Sequence, residues 1–277
     1  MISPSQGAEN RVVLFVDLLG FASLTEGHPI ELNLIKGSDR PFESIAMILS
    51  GKKENPLTQA FTNFHRALKA AIDLAQIHHP LTAITFSDSA YVATSHLFQA
   101  VNIASYFVQT LITQRTPVRA GIAHGSFAAI RFRSDVTLEG GDHSAHFLGT
   151  GVVRSHAAET CGIKGVRILL HPSAATLLED PKHNPPSSQE NRIHYVECTP
   201  DECKNALGVR YEADYWRFKA IAEAKAWHSL QDMWSVAPQG AIIHYEATAQ
   251  AINRMRVAQG ESPLNNLRRR TLPHVGK

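Results

Sequence analysis

Residues 11–17 read RVVLFVD. An unbroken β-branched and apolar run that ends on an acid reads as a strand buried in a sheet, and the rest of the chain has to supply what covers it. Residues 57–77 place Phe61, Phe64, Leu68, Ala71, Ile72 and Ala75 at helical spacing, which predicts an amphipathic helix. His79-Pro80 break it. Residues 81–86 and 90–94 then predict two short strands joined tightly at Ser87-Asp88-Ser89. Residues 97–113 predict a second helix and 117–124 (PVRAGIAH) another strand, with Gly125-Ser126 turning the chain. A polar loop follows at 134–145, then a short helix after Gly149 carrying Ala157-Ala158-Glu159, then a strand at 166–170. The order is βαββαβ, an α+β ferredoxin-like sheet with helices on one face.

Composition bounds the rest. With 277 residues, 44% hydrophobic and 19% charged, the chain is long enough for one large core and is not disordered. Residues 1–205 are expected to form the main domain, with an insertion at about 27–56, and 206–277 a helical extension. In the extension Trp216, Phe218, Trp227 and Leu230 are expected to pack on the core. Its basic end (Arg254, Arg256, Arg268, Arg269, Arg270 and Lys277) reads as solvated. A net charge of +2 gives no reason to expect nucleic-acid binding. Three cysteines make no disulfide framework and fit a reducing cytoplasm; Cys198 and Cys203 lack a second ligand pair for zinc. No apolar run is long enough for a membrane span, and residues 1–11 lack the apolar stretch of a signal peptide.

Two aspartates carry the chemical argument. Asp17 ends the buried strand and Asp88 sits at a turn between strands predicted to neighbour it. Carboxylates at adjacent strand ends repel unless a cation lies between them, and Mg²⁺ and Mn²⁺ prefer such oxygen ligands. Gly20 lets backbone amides after Asp17 approach a phosphate. Asp142, His143 and His146 have a D-H-x-x-H spacing, but on a glycine-rich loop they read as surface residues, and His78-His79 read as a helix-end pair. Ser87 and Ser89 have no assignable base.

VVLFVDLLGFASLTE resembles the first metal-binding segment of class III nucleotidyl cyclases. FSDSAYVAT resembles their Gly-Asp hairpin, PVRAGIAHG their strand ending in Gly-Ile-x-x-Gly, and GTGVVRSHAAETCGIKGVRILL their last conserved block. The resemblance covers roughly residues 11–170 in the right order. It implies a phosphorus–oxygen lyase that converts a nucleoside triphosphate to a 3′,5′-cyclic nucleotide and pyrophosphate. Asp17, Asp88 and the Leu18 carbonyl would hold two divalent metal ions, Mn²⁺ or Mg²⁺. The backbone around Leu19, Gly20 and Phe21 would cradle the phosphates. A head-to-tail homodimer, with sites at the interface, is also implied.

The sequence departs from the purine cyclases at four places. Their transition-state Asn and Arg fall on Val153 and Ala157; their base-reading Lys and Asp fall on Ile84 and Thr150. A cation is still needed on the α-phosphate, and Arg154 and Arg119 are the candidates, with Arg167 a weaker one. Retained metal aspartates with lost purine-reading residues resemble the pyrimidine cyclases of bacterial Pycsar anti-phage systems. That implies UTP as favoured substrate and cyclic UMP acting on a separate effector. The alternatives are a cytidylate or purine cyclase, and a nucleotide-sensing homologue without turnover.

Overall fold

The computed structural model describes residues 9–28, 55–75, 81–133, 143–184, 192–217 and 223–267. Most of the 27–56 insertion, His78-His79, Asp142, Phe218 and the arginines at 268–270 lie outside the described residues. The elements run β1 (Glu9–Leu18), α1 (Phe21–Gly27), α2 (Pro56–Ala75), β2 (Thr82–Thr85), β3 (Ser89–Thr94), α3 (Leu97–Thr113), β4 (Val118–Arg133) and β5 (His143–Leu148). They continue α4 (Thr150–Glu159), β6 (Ile168–Leu170), α5 (Pro172–Ala175), β7 (Tyr195–Glu197), β8 (Tyr211–Ala213), α6 (Glu223–Val236) and α7 (Gln239–Ala258).

The strand order is β2-β3-β1-β4-β6-β8-β7, with β5 paired to the far half of β4. Its first four strands, all antiparallel, have the 2-3-1-4 order of a ferredoxin-like βαββαβ unit, so the α+β fold expected from the sequence is the fold observed. β1 lies inside the sheet, flanked by β3 and β4, which is why its middle residues tolerate no polar side chain. Val12, Leu14, Val16 and Leu18 face the main core; Val13 and Phe15 are buried on the other face.

α2 and α3 cover the main-core face. Phe64 and Phe107 meet edge to face at 5.1 Å, and Ala67, Leu68 and Ala71 continue the α2 stripe. α3 spans the residues the sequence predicts and is buried along most of its length. The expectation of helices on one face alone is corrected by α4, which lies on the opposite face. It is drawn there by bare backbone: a Cβ on Gly121 would sit 2.1 Å from the Ser155 carbonyl oxygen, and one on Gly125 would sit 2.5 Å from Thr150 Oγ1.

The same glycines explain a second correction. Gly125-Ser126 is not a turn; β4 continues through it to Arg133 and pairs with β5, whose first residues fall in the expected 134–145 loop. Ser126 ties the strand to α4 instead: its amide donates to Thr150 Oγ1 and its hydroxyl accepts the Thr150 amide, each at 3.0 Å. His143 and His146 are strand residues of β5.

β6, β8 and β7 extend the sheet beyond β4. α6 and α7 pack beside α3 and the loop before β6: Ser229 donates to the Thr113 carbonyl, and Thr248 Oγ1 accepts the Val166 amide at 2.8 Å. Trp216 and Leu230 are buried and Trp227 packs against the core. Arg254 and Arg256 are not solvated: Arg254 reaches Glu202 and Glu212, and Arg256 pairs with Glu223 and Glu261. No helix among the described residues is long and apolar enough to cross a membrane.

Candidate active site

Side-chain alternation along β1 puts Asp17 on the α4 face, between Ser89 of β3 and Arg119 of β4 in cross-strand register. The turn between β2 and β3 closes when Phe86 donates its amide to the Ser89 carbonyl, leaving Ser87 and Asp88 at the tip. Ser87 Oγ donates to the Asp88 carboxylate at 3.0 Å. The Leu18 amide donates to the Asp88 carbonyl and the Leu19 amide to the Pro117 carbonyl, both at 2.9 Å. Gly20 takes a left-handed conformation, φ 80°, and α1 begins at the next residue.

The electrostatics of the pocket are those of excess negative charge. Burial pushes the Asp17 carboxyl up to about 7; the charges of Glu159 and Asp88 push the same way, and Arg119 opposes them. Arg119 is held by Glu159 of α4, with Nε 2.6 Å from Oε1, and it also donates to the Ile163 carbonyl at 3.2 Å. Both side chains of that pair are largely buried. Tyr91 stands two pairs along from Ser89, opposite Phe15, its ring 4.6 Å from Phe15 and 4.9 Å from Phe147. Burial raises its phenol, as do Glu159 and Asp17, so its hydroxyl lies within their field.

This donor set fits a divalent cation. It offers a carboxylate whose ionisation is opposed by burial and by two like charges, with a second carboxylate beside it. Among the described residues no group of three or more His, Cys, Asp or Glu converges into a metal cluster, so the remaining ligands would be backbone or substrate oxygens. The Leu18 amide is engaged by the Asp88 carbonyl, which fixes the Leu18 backbone beside the two acids. The Leu19 amide is engaged too, so an anion would find the amides of Gly20 and Phe21.

The other sequence candidates are distributed unevenly over the same sheet face. Ile84 pairs with Tyr91 and packs against the cluster of Val13, Ala93 and Phe127. Thr150 is bound to Ser126 at the start of α4. Arg154 is exposed and donates to the His124 carbonyl at 3.1 Å. His124 pairs with Val12, five residues from Asp17 and therefore about 16 Å along the strand. Within one chain Arg154 and Thr150 thus stand far from the two aspartates. Val153 is exposed and Ala157 half-buried. Arg167 is away from the site and fully buried against Glu212 and Glu202. Cys161, Cys198 and Cys203 are free and share a small apolar cluster with Ile163, Leu169 and Val209. Sequence reasoning gave Glu159 and Tyr91 no role at the site. The signal for Glu159 was an acid on an otherwise uncharged helix stretch, HAAET; nothing marked Tyr91.

The fold and site define an α+β domain with an acidic strand-end pocket. No family model matches the chain, and no curated protein matches it. Among solved structures the chain is similar to the guanylyl cyclase Cya2, at 15% identity and a TM-score of 0.44 over 77% of this chain and 94% of that one. It is similar to the catalytic core of a rhodopsin-guanylyl cyclase with converted specificity in complex with ATPαS, at 13% identity and TM-score 0.46, covering 76% and 98%. It is also similar to the adenylyl cyclase CyaB from P. aeruginosa, at 15% identity and TM-score 0.42, covering 74% and 95%. Superpositions this loose, at identities this low, say nothing about which reaction or which base.

Proposed function

We propose that this protein is a nucleotidyl cyclase of the class III type that acts on a pyrimidine triphosphate, UTP in preference, to make 3′,5′-cyclic UMP and pyrophosphate. The observation that carries the reading is the acidic pocket. Asp17 and Asp88 sit on hydrogen-bonded neighbouring strand ends, in a site whose excess negative charge a cation would relieve, at the two positions where the sequence resembles the metal-binding segments of that family. Two divalent ions, Mn²⁺ or Mg²⁺, held by Asp17, Asp88 and the Leu18 carbonyl would supply Lewis acidity to the ribose 3′-hydroxyl and the triphosphate. The 3′-oxygen forms its bond to the α-phosphorus as the bond to the β-phosphate oxygen breaks, the hydroxyl proton goes to solvent, and pyrophosphate leaves.

The chain's own residues bind and orient. The amides of Gly20 and Phe21 face the terminal phosphates, and Arg119, steadied by Glu159, lies beside Asp17 to take part of the developing charge. Arg154 and Thr150, about 16 Å or more away on the same face, serve the pocket of a second copy packed head to tail, so the working unit is a homodimer. Uncharged Ile84 and Thr150 support a base other than adenine. Production of a messenger in anti-phage defence, read by a separate effector, follows from the Pycsar resemblance. A sensing role without turnover is the second reading, favoured by Val153 and Ala157 where the purine cyclases carry Asn and Arg.

The test is incubation of purified protein with equimolar ATP, GTP, CTP and UTP and Mn²⁺, read by mass spectrometry. A cyclic pyrimidine is the expected product. A cyclic purine would keep the reaction and discard the base, and nucleotide binding without a cyclic product would favour the sensor.

A further inference from the structure

Four histidines from separate elements meet at the end of the sheet opposite Asp17: His96 before α3, His124 on β4, His171 after β6, and His183 in the turn after the short 3₁₀ helix at Thr176–Glu179. His183 is 8% exposed, and its ring lies 6.0 Å from that of His96 and 6.3 Å from that of His124. Leu97 opens α3, so its amide has no partner within the helix. His96 does not cap it; His183 Nδ1 accepts it at 3.3 Å, from 86 residues further along the chain. A ring nitrogen accepts only when unprotonated. Neutral His183 therefore carries its proton on Nε2, which faces the Asp180 carboxylate at 4.0 Å.

His171 repeats the arrangement at α5, where its Nδ1 accepts the Ser173 amide at 3.1 Å. The Ser173 hydroxyl lies 2.9 Å from the same nitrogen and accepts the His124 amide at 3.1 Å. Arg154 completes the group from α4 through its bond to the His124 carbonyl. At His183, Asp180 favours protonation while His124 and Lys182 oppose it; at His124 and His171, Arg154 opposes it.

We propose that His124, His171 and His183, with His96 beside His183, form an acid-released latch that, while those three rings are neutral, fastens residues 171–184 onto the N-terminus of α3 and onto β4. Protonated His183 would set a donor against the Leu97 amide, and protonated His171 a donor against the Ser173 amide. Burial holds His183 below the usual histidine range, against Asp180 and with His124 and Lys182; burial and then Arg154 do the same for His124 and His171. The sign follows: each fold-lowered pKa contributes stability that is present above about 6.5 and is lost as the pH falls below it.

The test is hydrogen exchange of the full chain from about pH 7.5 to about pH 5.5, expressed as protection factors so that the intrinsic pH dependence of exchange is removed. Protection at Leu97 and across 173–184 is expected to fall about tenfold or more, with that of Val13–Val16 in the central strand unchanged. His183→Asn keeps an acceptor at the position of Nδ1 and cannot titrate, so it should keep protection at high pH and lose most of the pH dependence. Equal loss in His183→Asn and wild type, or no local loss in wild type, overturns the latch. Should His183→Asn fail to fold, ring titration in the wild-type protein decides: His183 titrating at or above about 6.5 overturns it, and well below supports it.

Discussion

The amide of Leu18 donates to the carbonyl of Asp88 at 2.9 Å. The residue after one acid is thereby tied to the backbone of the other, which fixes the spacing of the two backbone positions that carry the carboxylates. A pocket that forces two carboxylates into proximity, with Glu159 behind them, stores repulsion that a bound cation would relieve.

That stored repulsion is measurable without any assay of turnover. Asp17 ionises in the fold only near pH 7, against about 3.8 for the unfolded chain, so the native state binds the extra proton between these values. Stability is therefore lost as the pH rises from about 4 toward 7. Asp17→Asn removes the charge and keeps the shape. In chelator at about pH 8 it should be more stable than wild type by about 1–2 kcal/mol, discounted for solvent screening at a half-buried group. The gain should vanish near pH 4, and the rise in Tm that Mn²⁺ gives the wild type should disappear. Urea melts check both; a variant less stable than wild type in chelator contradicts the charge argument.

The seat of α4 rests on two missing side chains. Gly121→Ala would drive a Cβ to 2.1 Å from the Ser155 carbonyl oxygen and 2.6 Å from the Glu159 amide nitrogen, both backbone atoms in a helix that cannot step aside alone. It should cost about 1–3 kcal/mol or more and loosen the Arg119–Glu159 pair with the helix. Gly27→Ala, with open space around its Cβ, is the control and should be nearly neutral. Thermal melts of the two variants decide it.

How much of this was legible in the sequence depended on local pattern. β1 and α3 were plain because a continuous apolar run and a 3.6-residue stripe are local signals. β4 was cut short because Gly125-Ser126 has the composition of a turn; the glycine's purpose, contact with Thr150 and Gly151, lies 25 residues away. β7 and β8 are three residues each, too short to show a period, and exist because β6 offers them an edge. At the site, the acids at 17 and 88 were visible as strand-end aspartates. The grip of Glu159 on Arg119 and the reach of His183 to Leu97 were not, since both cross the chain and leave no spacing to read.

Arg167 supplies a stability test away from the site. It is fully buried with Glu212, reaches Glu202 at 2.8 Å, and Arg254 of α7 closes the network. Arg167→Met leaves buried Glu212 with the single contact from Arg254 and should cost about 3 kcal/mol. Burial would raise the Glu202 carboxyl, but the hydrogen bond and charge of Arg167 outweigh it and hold the group at about 2. Its contribution is present above about pH 4.5 and is lost as the pH falls toward 2; Glu202→Gln should flatten that part of the acid limb. In the same network burial, with Glu212 next, pushes the Cys198 thiol up to about 12, so a thiol reagent at about pH 8 should spare Cys198 until the protein unfolds. Rapid labelling of native Cys198 would contradict this placement.

The separation of Arg154 from Asp17 makes the head-to-tail reading testable by complementation. Arg154 is bonded to the carbonyl of His124, and that residue pairs with Val12, five positions from Asp17. On the proposed function Asp17→Ala would remove a metal ligand and Arg154→Ala a transition-state cation, so each homodimer should lose nearly all cyclase activity, with folding little changed for the exposed arginine. In a mixed dimer one pocket takes both lesions and the other takes neither. Equal amounts of the two variants, refolded together, form mixed dimers about half the time, each with one intact pocket, so activity should return to about a quarter of wild type. Were the aspartates and the arginine to serve the same pocket from one chain, both pockets of the mixed dimer would be damaged and mixing would restore nothing. Recovery when either variant is mixed with the Asp17→Ala/Arg154→Ala double variant, which leaves no intact pocket in any dimer, would point instead to subunit exchange stabilising a damaged fold, and sedimentation of each variant alone separates that case.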